Sequence, residues 1–360
     1  MKGDCRMIKL GVLGTGIITE CHFFALDKID TAKVAAIASL DEEEGKKACE
    51  HFGAVYYKDY KELLAKEKEL DGIIVALPNH MHYQGCVDVI ESGFKNILCE
   101  KPLCITSEQS RKLVELVQKE GIMFQTGYMK RFNPGFRKAK EMAKKMGELE
   151  FVTFSIFNSA PEPEISGKNE AGSWHDDARL SGGGFLTHSG SHHLDLLRYC
   201  FGDIHSVACK TRYDNADGRD YFLDASLKME KGFDIGMKLG RVDIRNLGPQ
   251  WKPFRDGWNE SVEVIGTRGY LRVDNPSWQG YEVMQVTMWL QGMCGPETFS
   301  CECKEQWISE LSAFVKNCET GSLQEGCSSV VDGYRVDYTI EKMRESGELG
   351  GKEITLDYQY

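Results

Sequence analysis

The sequence predicts an α/β protein in which a doubly wound parallel sheet is followed by an α+β domain with a large, open, mainly antiparallel sheet. Three observations predict this fold. Apolar strand-like runs alternate with helical stretches up to about residue 126, a glycine turn follows the first run, and later runs alternate polar with apolar residues. We expect the first domain over residues 7–127 and the second over residues 128–360.

The first domain is predicted from strands that are apolar throughout. They lie at Ile8–Leu13, Val34–Ala38, Gly72–Leu77, Asn96–Cys99 and Ile122–Thr126. Such strands are buried on both faces, as in a parallel sheet covered by helices. Parallel strands need crossover helices. The sequence provides helical spacing at Ile17–Leu26, Glu42–His51, Tyr60–Lys66, His82–Glu91 and Ser107–Lys119.

The second domain is predicted from strands that have one polar face. The alternating runs are Glu150–Asn158, Ser206–Arg212, Phe222–Met229, Phe233–Gly240, Val262–Ile265 and Tyr270–Val273. Alternation is typical of an antiparallel sheet with one packed face. Two helices are predicted near the end, at Lys304–Cys318 and Ser328–Glu345. The polar face of the sheet is a candidate surface for subunit contact.

The composition excludes several classes of protein. Hydrophobic residues make up 41% and charged residues 28%, which is typical of a globular chain. No apolar run approaches the roughly 20 residues of a membrane helix, and the N-terminus lacks the features of a signal peptide. The 13 cysteines are scattered, so we expect reduced thiols and a cytoplasmic location. A net charge of −11 argues against a nucleic-acid partner.

A glycine turn joins the first predicted strand to the first helix. Gly14 and Gly16 allow a tight turn and close approach of a pyrophosphate, which the helix N-terminus at Ile17 and Ile18 stabilises. Thr19 stands where the usual fingerprint has its third glycine. A glycine pair alone is also compatible with a plain strand-to-helix turn, but its place at the start of a β-α-β unit predicts a Rossmann domain that binds a dinucleotide.

The end of the second strand bears on the choice of cofactor. Ser39 occupies the position where an acidic residue grips the adenosine ribose of NAD in many Rossmann domains. The acidic run Asp41–Glu44 follows, and no Arg or Lys stands directly after Ser39 to receive a 2′-phosphate. We therefore expect NAD rather than NADP. The acidic run is equally compatible with a helix start, where carboxylates favour the dipole.

Longer motifs carry a more specific resemblance. They are Leu77–His82, Cys99–Leu103 with its Glu-Lys-Pro, Gly127–Pro134, Ser181–Leu186, Gly190–Asp195 and Glu263–Leu271. In these motifs the chain resembles the glucose–fructose oxidoreductase / inositol dehydrogenase / rhizopine catabolism family of NAD(P)-dependent oxidoreductases. The resemblance spans nearly the whole chain. It implies a sugar, glycoside or inositol-like polyol as substrate and a homodimer or homotetramer formed through the open sheet.

The resemblance also implies roles for the residues that follow two strands of the first domain. Asn79 and Lys101 lie just past predicted strands, where doubly wound sheets bind ligands. Lys101 is expected to polarise a substrate hydroxyl and stabilise a developing alkoxide. The residues expected to contact the cofactor are Gly14, Gly16, Ile17, Ile18, Ser39, Pro78, Asn79, His82, Glu100 and Lys101.

A histidine-rich segment is predicted to form a helix over Phe185–Cys200. His188, His192 and Asp195 fall at i, i+4 and i+7, so they share one helical face. By the resemblance, His192 is the acid/base that takes the hydroxyl proton. His188 is a candidate catalytic residue together with Lys101 and His192. It stands where polyol dehydrogenases of the family usually have Asp, and a cluster of Lys101 with both histidines favours neutral imidazoles.

Other interpretations of these histidines stay open. His-x-x-x-His on a helix can chelate a metal, although no Glu lies within the motif and no third ligand is evident. The side chains could also bind substrate or pack without chemistry, and His193, on another face, is expected to be structural.

Further candidates lie outside these motifs. Tyr128, Arg131 and Asp177 are expected to line the substrate pocket together with His188 and His192; domain packing and turn capping are their alternatives. The segment Asn246–Trp258 combines aromatic and polar residues that suit sugar faces or subunit contacts. Cys301-x-Cys303 lacks a second cysteine pair, so no zinc site is expected.

Three functions remain compatible with the sequence. The first is an NAD-dependent dehydrogenase that oxidises a secondary hydroxyl of a sugar, glycoside or polyol to a ketone, such as the 3-hydroxyl of a glycoside. The second is a redox-neutral NAD-dependent glycosidase of the same fold, which cleaves glycosides without accumulating NADH. The third is a non-enzymatic dinucleotide-sensing regulator, against which Glu100-Lys101-Pro102 and His192 argue.

Overall fold

Two sheets and the helices that pack on them organise the chain. The computed structural model describes residues 6–158, 174–214, 218–241, 258–276 and 283–359. The predicted fold class is confirmed, because an N-terminal parallel sheet precedes a mainly antiparallel one. Within the described ranges, no helix is both long and apolar enough to cross a bilayer.

The N-terminal sheet is the Rossmann sheet. Its strands are β1 (Ile8–Leu13), β2 (Ala32–Ala38), β3 (Val55–Tyr57), β4 (Gly72–Val75), β5 (Asn96–Glu100), β6 (Met123–Gly127) and β15 (Ser328–Ser329). They lie in the order β15-β6-β5-β4-β1-β2-β3. Strands β1 to β6 pair in parallel, whereas β15 pairs antiparallel with β6. The short β3, with its exposed Val55, is too brief for an apolar run to signal it.

Helices connect these strands as predicted. They are α1 (Ile17–Leu26), α2 (Glu42–Phe52), α3 (Tyr60–Lys66), α4 (His82–Glu91) and α5 (Ser107–Glu120). The side chains of Asp41, Asp59 and Thr106 cap the N-termini of α2, α3 and α5. Crossover helices of this kind place the carboxyl ends of β1, β4 and β5 along one edge of the sheet.

The C-terminal sheet is open and mainly antiparallel. Its strands are β7 (Leu149–Asn158), β8 (Ile204–Tyr213), β9 (Asp220–Met229), β10 (Asp234–Arg241), β11 (Trp258–Gly266), β12 (Gly269–Asn275), β13 (Met284–Leu290), β14 (Glu297–Cys301) and β16 (Ile354–Thr355). The order is β14-β13-β12-β11-β7-β10-β9-β8-β16, and only the β7–β10 pair among them is parallel in the described residues. Phe151, Ile265 and Trp289 are exposed. The use of this sheet for subunit contact stays a prediction.

The remaining helices tie the two sheets together. They are α6 (Pro134–Ala143), α7 (Ala178–Ser181), α8 (Ser191–Phe201), α9 (Glu305–Thr320) and α10 (Val330–Glu348). Helix α9 packs on α1, and α10 packs on α5, α8 and β8. Because β15 joins the first sheet and α10 packs on β8, this late segment contacts both sheets. The division expected at residue 127 stays a prediction.

The helix predicted over Phe185–Cys200 is interrupted. A π-helical turn occupies Leu186–Gly190, and α8 begins at Ser191. A π turn takes an extra residue compared with an α turn and frequently marks functional sites. The expectation of a regular helix is therefore wrong over Leu186–Gly190, whereas His192 and Asp195 both lie on α8, three residues apart.

A buried ion pair joins three elements near this helix. The Arg131 guanidinium donates to both carboxylate oxygens of Asp195 on α8, at 2.7 and 2.6 Å. It also donates to the carbonyl of Cys327 and lies 3.3 Å from Asp332 of α10. Because all of its nitrogens are engaged and the residue is buried, the structure does not support the substrate contact predicted for Arg131; it packs the domains.

Replacing Arg131 tests this structural role. Arg131→Met leaves the Asp195 carboxylate buried without its partner, so we expect a loss of about 3–5 kcal/mol in the free energy of unfolding, measured by chemical denaturation. Arg179→Met is the matched control, because Arg179 pairs with Asp177 at the exposed surface; its unfolding midpoint should match the parent. Equal midpoints for both variants would contradict the packing role.

Candidate active site

The glycine turn after β1 has the geometry of a dinucleotide cradle. Gly14 has a φ of 105°, and a Cβ there would lie 2.2 Å from the carbonyl oxygen of Ala76. Gly16 precedes α1, and a Cβ there would meet nothing within 4 Å. The buried Thr19 donates its hydroxyl to the carbonyl of Gly14 at 3.3 Å. Thr19 thus braces the turn where a third glycine was expected, and the space beside Gly16 and Ile17 fits a pyrophosphate.

Ser39 lies at the end of β2, next to this turn. Its Oγ lies 2.5 Å from Oγ1 of Thr15 and accepts from the backbone N–H of Asp41. The Asp41 carboxylate in turn accepts from the N–H of Glu44 and caps α2. The acidic run is therefore a capped helix start, and Ser39 offers a hydroxyl at the position predicted for ribose contact.

Lys101 follows β5 and reaches the other domain. Its Nζ donates to the carbonyl of His188 in the π-helical turn at 3.0 Å. Burial lowers the pKa of Lys101, and the nearby Glu100 carboxylate partly opposes that shift. The peptide bond to Pro102 is cis. The geometry brings together Lys101 and His188, two of the predicted catalytic residues.

Glu100 contributes to the position of Lys101. One carboxylate oxygen lies 2.8 Å from Nε2 of His22 on α1, and the other accepts from the N–H of Lys101 at 3.1 Å. Glu100 is buried, and the pKa of its carboxyl is lowered because the contacts to His22 and Lys101 outweigh burial. The structure does not support the predicted cofactor contact for Glu100; its carboxylate anchors the turn instead.

The side chains of His82 and Asn79 anchor the turn after β4 through hydrogen bonds to backbone carbonyls. The buried His82 ring contacts two backbone carbonyls, that of Pro102 at 2.7 Å and that of Leu77 at 2.8 Å. The cofactor contact predicted for His82 is not supported, because both ring nitrogens are engaged in joining the turns after β4 and β5. Asn79 donates from Nδ2 to the carbonyl of Ser181 at 2.8 Å. Pro78 and Asn79 thus lie at the junction of the two domains.

His192 is the second residue of α8, directly after the π-helical segment. It is 8% exposed, and its Nδ1 has no hydrogen-bond partner among the described residues. The ring edge of Tyr128 contacts it, with centroids 5.9 Å apart. Burial, reinforced by the charge of Lys101, holds the pKa of His192 well below its usual value. The imidazole is therefore neutral at pH 7 and able to accept a proton.

His188 is partly buried and lies in an aromatic row. Its ring centroid is 5.7 Å from that of His175, which stacks on Trp174 at 3.6 Å. Burial lowers the pKa of His188 well below its ordinary value, and Lys101 and His175 lower it further. Both histidines are thus neutral, as the expected clustering with Lys101 implied.

A buried charge cluster that the sequence did not indicate supports α8. Glu260 of β11 lies 2.8 Å from Nζ of Lys130 and 2.6 Å from Nε2 of His193. His193 also contacts the carbonyl of Ser189 through Nδ1. These contacts give His193 the structural role expected for it. Lys130 and Glu260 are 130 residues apart, so only the fold reveals the pair.

The other predicted pocket residues have mixed outcomes. Tyr128 is buried, and its hydroxyl has no partner among the described residues. Asp177 caps α7 and pairs with Arg179 at 2.7 Å, which lowers the pKa of its carboxyl to about 2. Turn capping therefore accounts for the contacts of Asp177, and the substrate contact predicted for it is not supported. All of Asn246–Trp258 except Trp258 lies outside the described residues. The residues that the structure describes contain no cluster of three or more side chains that could hold a metal ion.

Comparison with known proteins identifies the family. Residues 8–128 match the model of the GFO/IDH/MocA oxidoreductase family with an NAD-binding Rossmann fold, and residues 136–272 match the GFO/IDH/MocA C-terminal domain. The chain belongs to the GFO/IDH/MocA family. It is an NAD(P)-dependent oxidoreductase, as the sequence motifs predicted.

Individual relatives of this GFO/IDH/MocA protein act on inositols. It is 25% identical to myo-inositol 2-dehydrogenase of Thermotoga maritima, over 94% of this chain and 97% of that protein. It is 28% identical to inositol 2-dehydrogenase 2 of Saccharopolyspora erythraea, over 91% and 89% of the two chains.

Solved structures share its fold. Levoglucosan dehydrogenase in complex with NADH and levoglucosan has a TM-score of 0.82 at 19% identity, covering 98% of this chain and 100% of that chain. GenD2 from gentamicin A biosynthesis, in complex with NAD, has a TM-score of 0.79 at 22% identity, covering 98% and 97%.

The two glycines of the turn separate folding from dinucleotide binding. Gly16→Ala adds a methyl group to open space at the start of α1, so we expect unchanged thermal stability and NAD binding weakened by about tenfold or more, or about 1.4 kcal/mol. Gly14→Ala should lower the melting temperature, because an alanine is strained at the φ of this position and its methyl group would clash with the carbonyl of Ala76. Calorimetric NAD titration and thermal unfolding measure both effects. Parent-like NAD affinity in Gly16→Ala would place the dinucleotide elsewhere.

The buried neutral histidines make stability depend on pH. The pKa values of His188 and His192 are lowered from 6.5 in the folded chain. The unfolded chain therefore binds more protons below pH 6.5, and the free energy of unfolding falls as pH decreases, by at most about 1.4 kcal/mol per pH unit for each histidine. Denaturant titrations between pH 7.5 and 5.5 should show a shallower slope in His188→Gln and His192→Gln. A parent-like slope in both variants would contradict neutral burial.

Proposed function

We propose that the chain is an NAD-dependent dehydrogenase that oxidises a secondary hydroxyl of a sugar, glycoside or inositol-like polyol to a ketone. The observation that carries this proposal is that Lys101 Nζ donates to the carbonyl of His188, four residues before His192, and that its charge acts on the neutral His192 ring. A neutral imidazole can accept a hydroxyl proton, and an ammonium can stabilise the alkoxide that forms. The names of the inositol-oxidising relatives support the substrate class.

In this proposal Lys101 polarises the reacting hydroxyl. An ammonium has three donors, of which the contact to the His188 carbonyl uses one. The others can face a substrate oxygen. Because burial disfavours the charged form of Lys101, a developing alkoxide is a particularly favourable partner for it. The Glu100–His22 contact keeps the backbone of Lys101 in place during this step.

His192 is proposed to receive the hydroxyl proton. Its lowered pKa keeps the ring unprotonated at neutral pH, so the ring can accept a proton as soon as a hydroxyl docks. When bound, the nicotinamide serves as the hydride acceptor. His188 is proposed to contact the substrate as well, because its carbonyl accepts from the Nζ of Lys101, which faces the reacting hydroxyl in this proposal.

NAD is the proposed cofactor, with NADP the weaker alternative. Ser39 provides an uncharged hydroxyl beside the glycine turn. The capped start of α2 carries the carboxylates Asp41 to Glu44 nearby, and these would repel a 2′-phosphate. The negative charge of this region therefore favours NAD, whose adenosine ribose carries no 2′-phosphate.

The proposed reaction is tested by turnover on a substrate panel. We expect NADH formation, followed by absorbance, with at least one inositol, sugar or glycoside. Lys101→Met and His192→Gln should each lower kcat by about 10²–10⁴-fold while leaving NAD affinity within a small factor of the parent. Lys238→Ala, at an exposed position of β10, serves as a surface control.

Other outcomes of the same panel favour other functions. Glycoside cleavage without NADH accumulation would indicate the redox-neutral glycosidase, and tight NAD binding with no turnover on any compound would contradict an enzymatic role. Unchanged kcat in both Lys101→Met and His192→Gln would show that the chemistry takes place elsewhere.

A further inference from the structure

Three buried polar atoms belong to the proposed catalytic histidine, to the tyrosine that contacts it and to an aspartate whose charge acts on that tyrosine. They are Nδ1 of His192, the hydroxyl of Tyr128 and Oδ1 of Asp337, and none has a hydrogen-bond partner among the described residues. The three side chains are 8%, 1% and 6% exposed. A buried polar group without a partner costs about 1–3 kcal/mol, so three in one region call for a common explanation.

The first two atoms belong to rings in contact. The Tyr128 and His192 rings meet edge to face, with an interplanar angle of 82°. Tyr128 follows β6, and Gly333 of α10 lies against Thr126 of that strand, since a Cβ on Gly333 would be 3.0 Å from Oγ1 of Thr126. Asp337 is one helical turn further along α10. Burial raises the pKa of the Tyr128 hydroxyl and the Asp337 carboxylate raises it further, so that carboxylate lies near Tyr128.

Asp337 is held so that only one of its oxygens is satisfied. Oδ2 accepts from the N–H of Cys104 at 2.9 Å and from the hydroxyl of Ser110 at 2.6 Å. The residue lines a cavity of about 210 Å³ between α10, the loop after Lys101 and the segment before His188. Its lining residues include Pro102, Thr106, Thr187, Asp337, Glu341 and Arg344. Asp337, which has one unsatisfied carboxylate oxygen, therefore lines a cavity that is large enough to hold water.

We propose that Tyr128 and Asp337 form, with ordered waters, a path that carries the proton from His192 to this cavity. The path rests on the proposed function, because that reaction releases one proton at His192. Nε2 accepts the hydroxyl proton as the substrate O–H bond breaks, and Nδ1 gives its proton to a water. The Tyr128 oxygen accepts a proton from that water while its own O–H proton passes on, and the Asp337 carboxylate receives it and releases it to water in the cavity.

The charges around the path are compatible with this direction. Burial raises the pKa of Asp337 to about 7, although Ser110 and the N–H of Cys104 oppose the shift. A carboxylate with that pKa accepts and releases protons readily near neutral pH. The charged or titratable groups that act on His192 are Lys101, Lys130 and His193. Those that act on Tyr128 are Asp337, Asp195, Arg131 and Arg198. Arg344 acts on Asp337.

Kinetics of the NAD-bound enzyme test the path with a matched control. Asp337→Asn keeps the side-chain shape but cannot take the proton, so we expect kcat to fall about tenfold with KM unchanged, a larger solvent deuterium effect, and partial rescue by added imidazole buffer. Tyr128→Phe should show the same pattern. Glu341→Gln, which lines the same cavity and contacts Ser107 instead, should behave like the parent.

Two outcomes would overturn the path. One is a parent-like kcat and solvent deuterium effect in both Asp337→Asn and Tyr128→Phe. The other does not depend on turnover: a crystal structure of the parent chain at a resolution that shows waters should place ordered water between the Tyr128 hydroxyl and Asp337, whereas apolar side chains filling that space would exclude it. Failure of the proposed function would instead appear as absence of turnover in the parent.

Discussion

The hydrogen bond from Lys101 Nζ to the carbonyl of His188 joins the parallel sheet to the C-terminal domain at the candidate site. It requires that the turn after β5 and the π-helical segment before α8 both be held rigidly. Glu100 and His82 hold the first, through His22 and the carbonyls of Leu77 and Pro102. Without those contacts, the flexible four-carbon side chain of Lys101 would not hold its Nζ at a fixed position.

The π-helical segment that carries the His188 carbonyl leads into α8, and buried ion pairs hold α8 in position. Arg131 holds Asp195 of α8, and Glu260 holds His193 between β11 and the same helix. Buried ion pairs add little net stability, but removing one partner is costly. We infer that these pairs serve chiefly to position α8, and hence His192, against Lys101. The domains, the helix and the two reactive side chains are thus parts of one constrained assembly.

Much of this could be predicted from sequence, because some signals are local. Uniformly apolar runs identified β1, β2, β4, β5 and β6, and the Glu100-Lys101-Pro102 motif pointed to a lysine at a strand end. The sequence did not reveal the structural contacts of the Glu100 and His82 side chains, because a motif does not show which of its members faces a ligand. Their partners decide that, and His22 lies 78 residues from Glu100.

Other features had no local signal at all. The π-helical turn at Leu186–Gly190 is accompanied by hydrogen bonds of Leu186 with Asp220 and of Thr187 with Gly182, whereas 3.6-residue periodicity predicted a regular helix there. Asp337 lies within an otherwise ordinary amphipathic helix. Only its placement beside Cys104 and Ser110 shows that its carboxylate is buried.

The most direct test of the proposed chemistry is a crystal structure of the chain with NAD and a substrate that it oxidises. The proposal predicts that one secondary hydroxyl lies within hydrogen-bonding distance of both Lys101 Nζ and a His192 ring nitrogen, with its carbon facing C4 of the nicotinamide. A substrate whose reacting hydroxyl contacts neither side chain would contradict it.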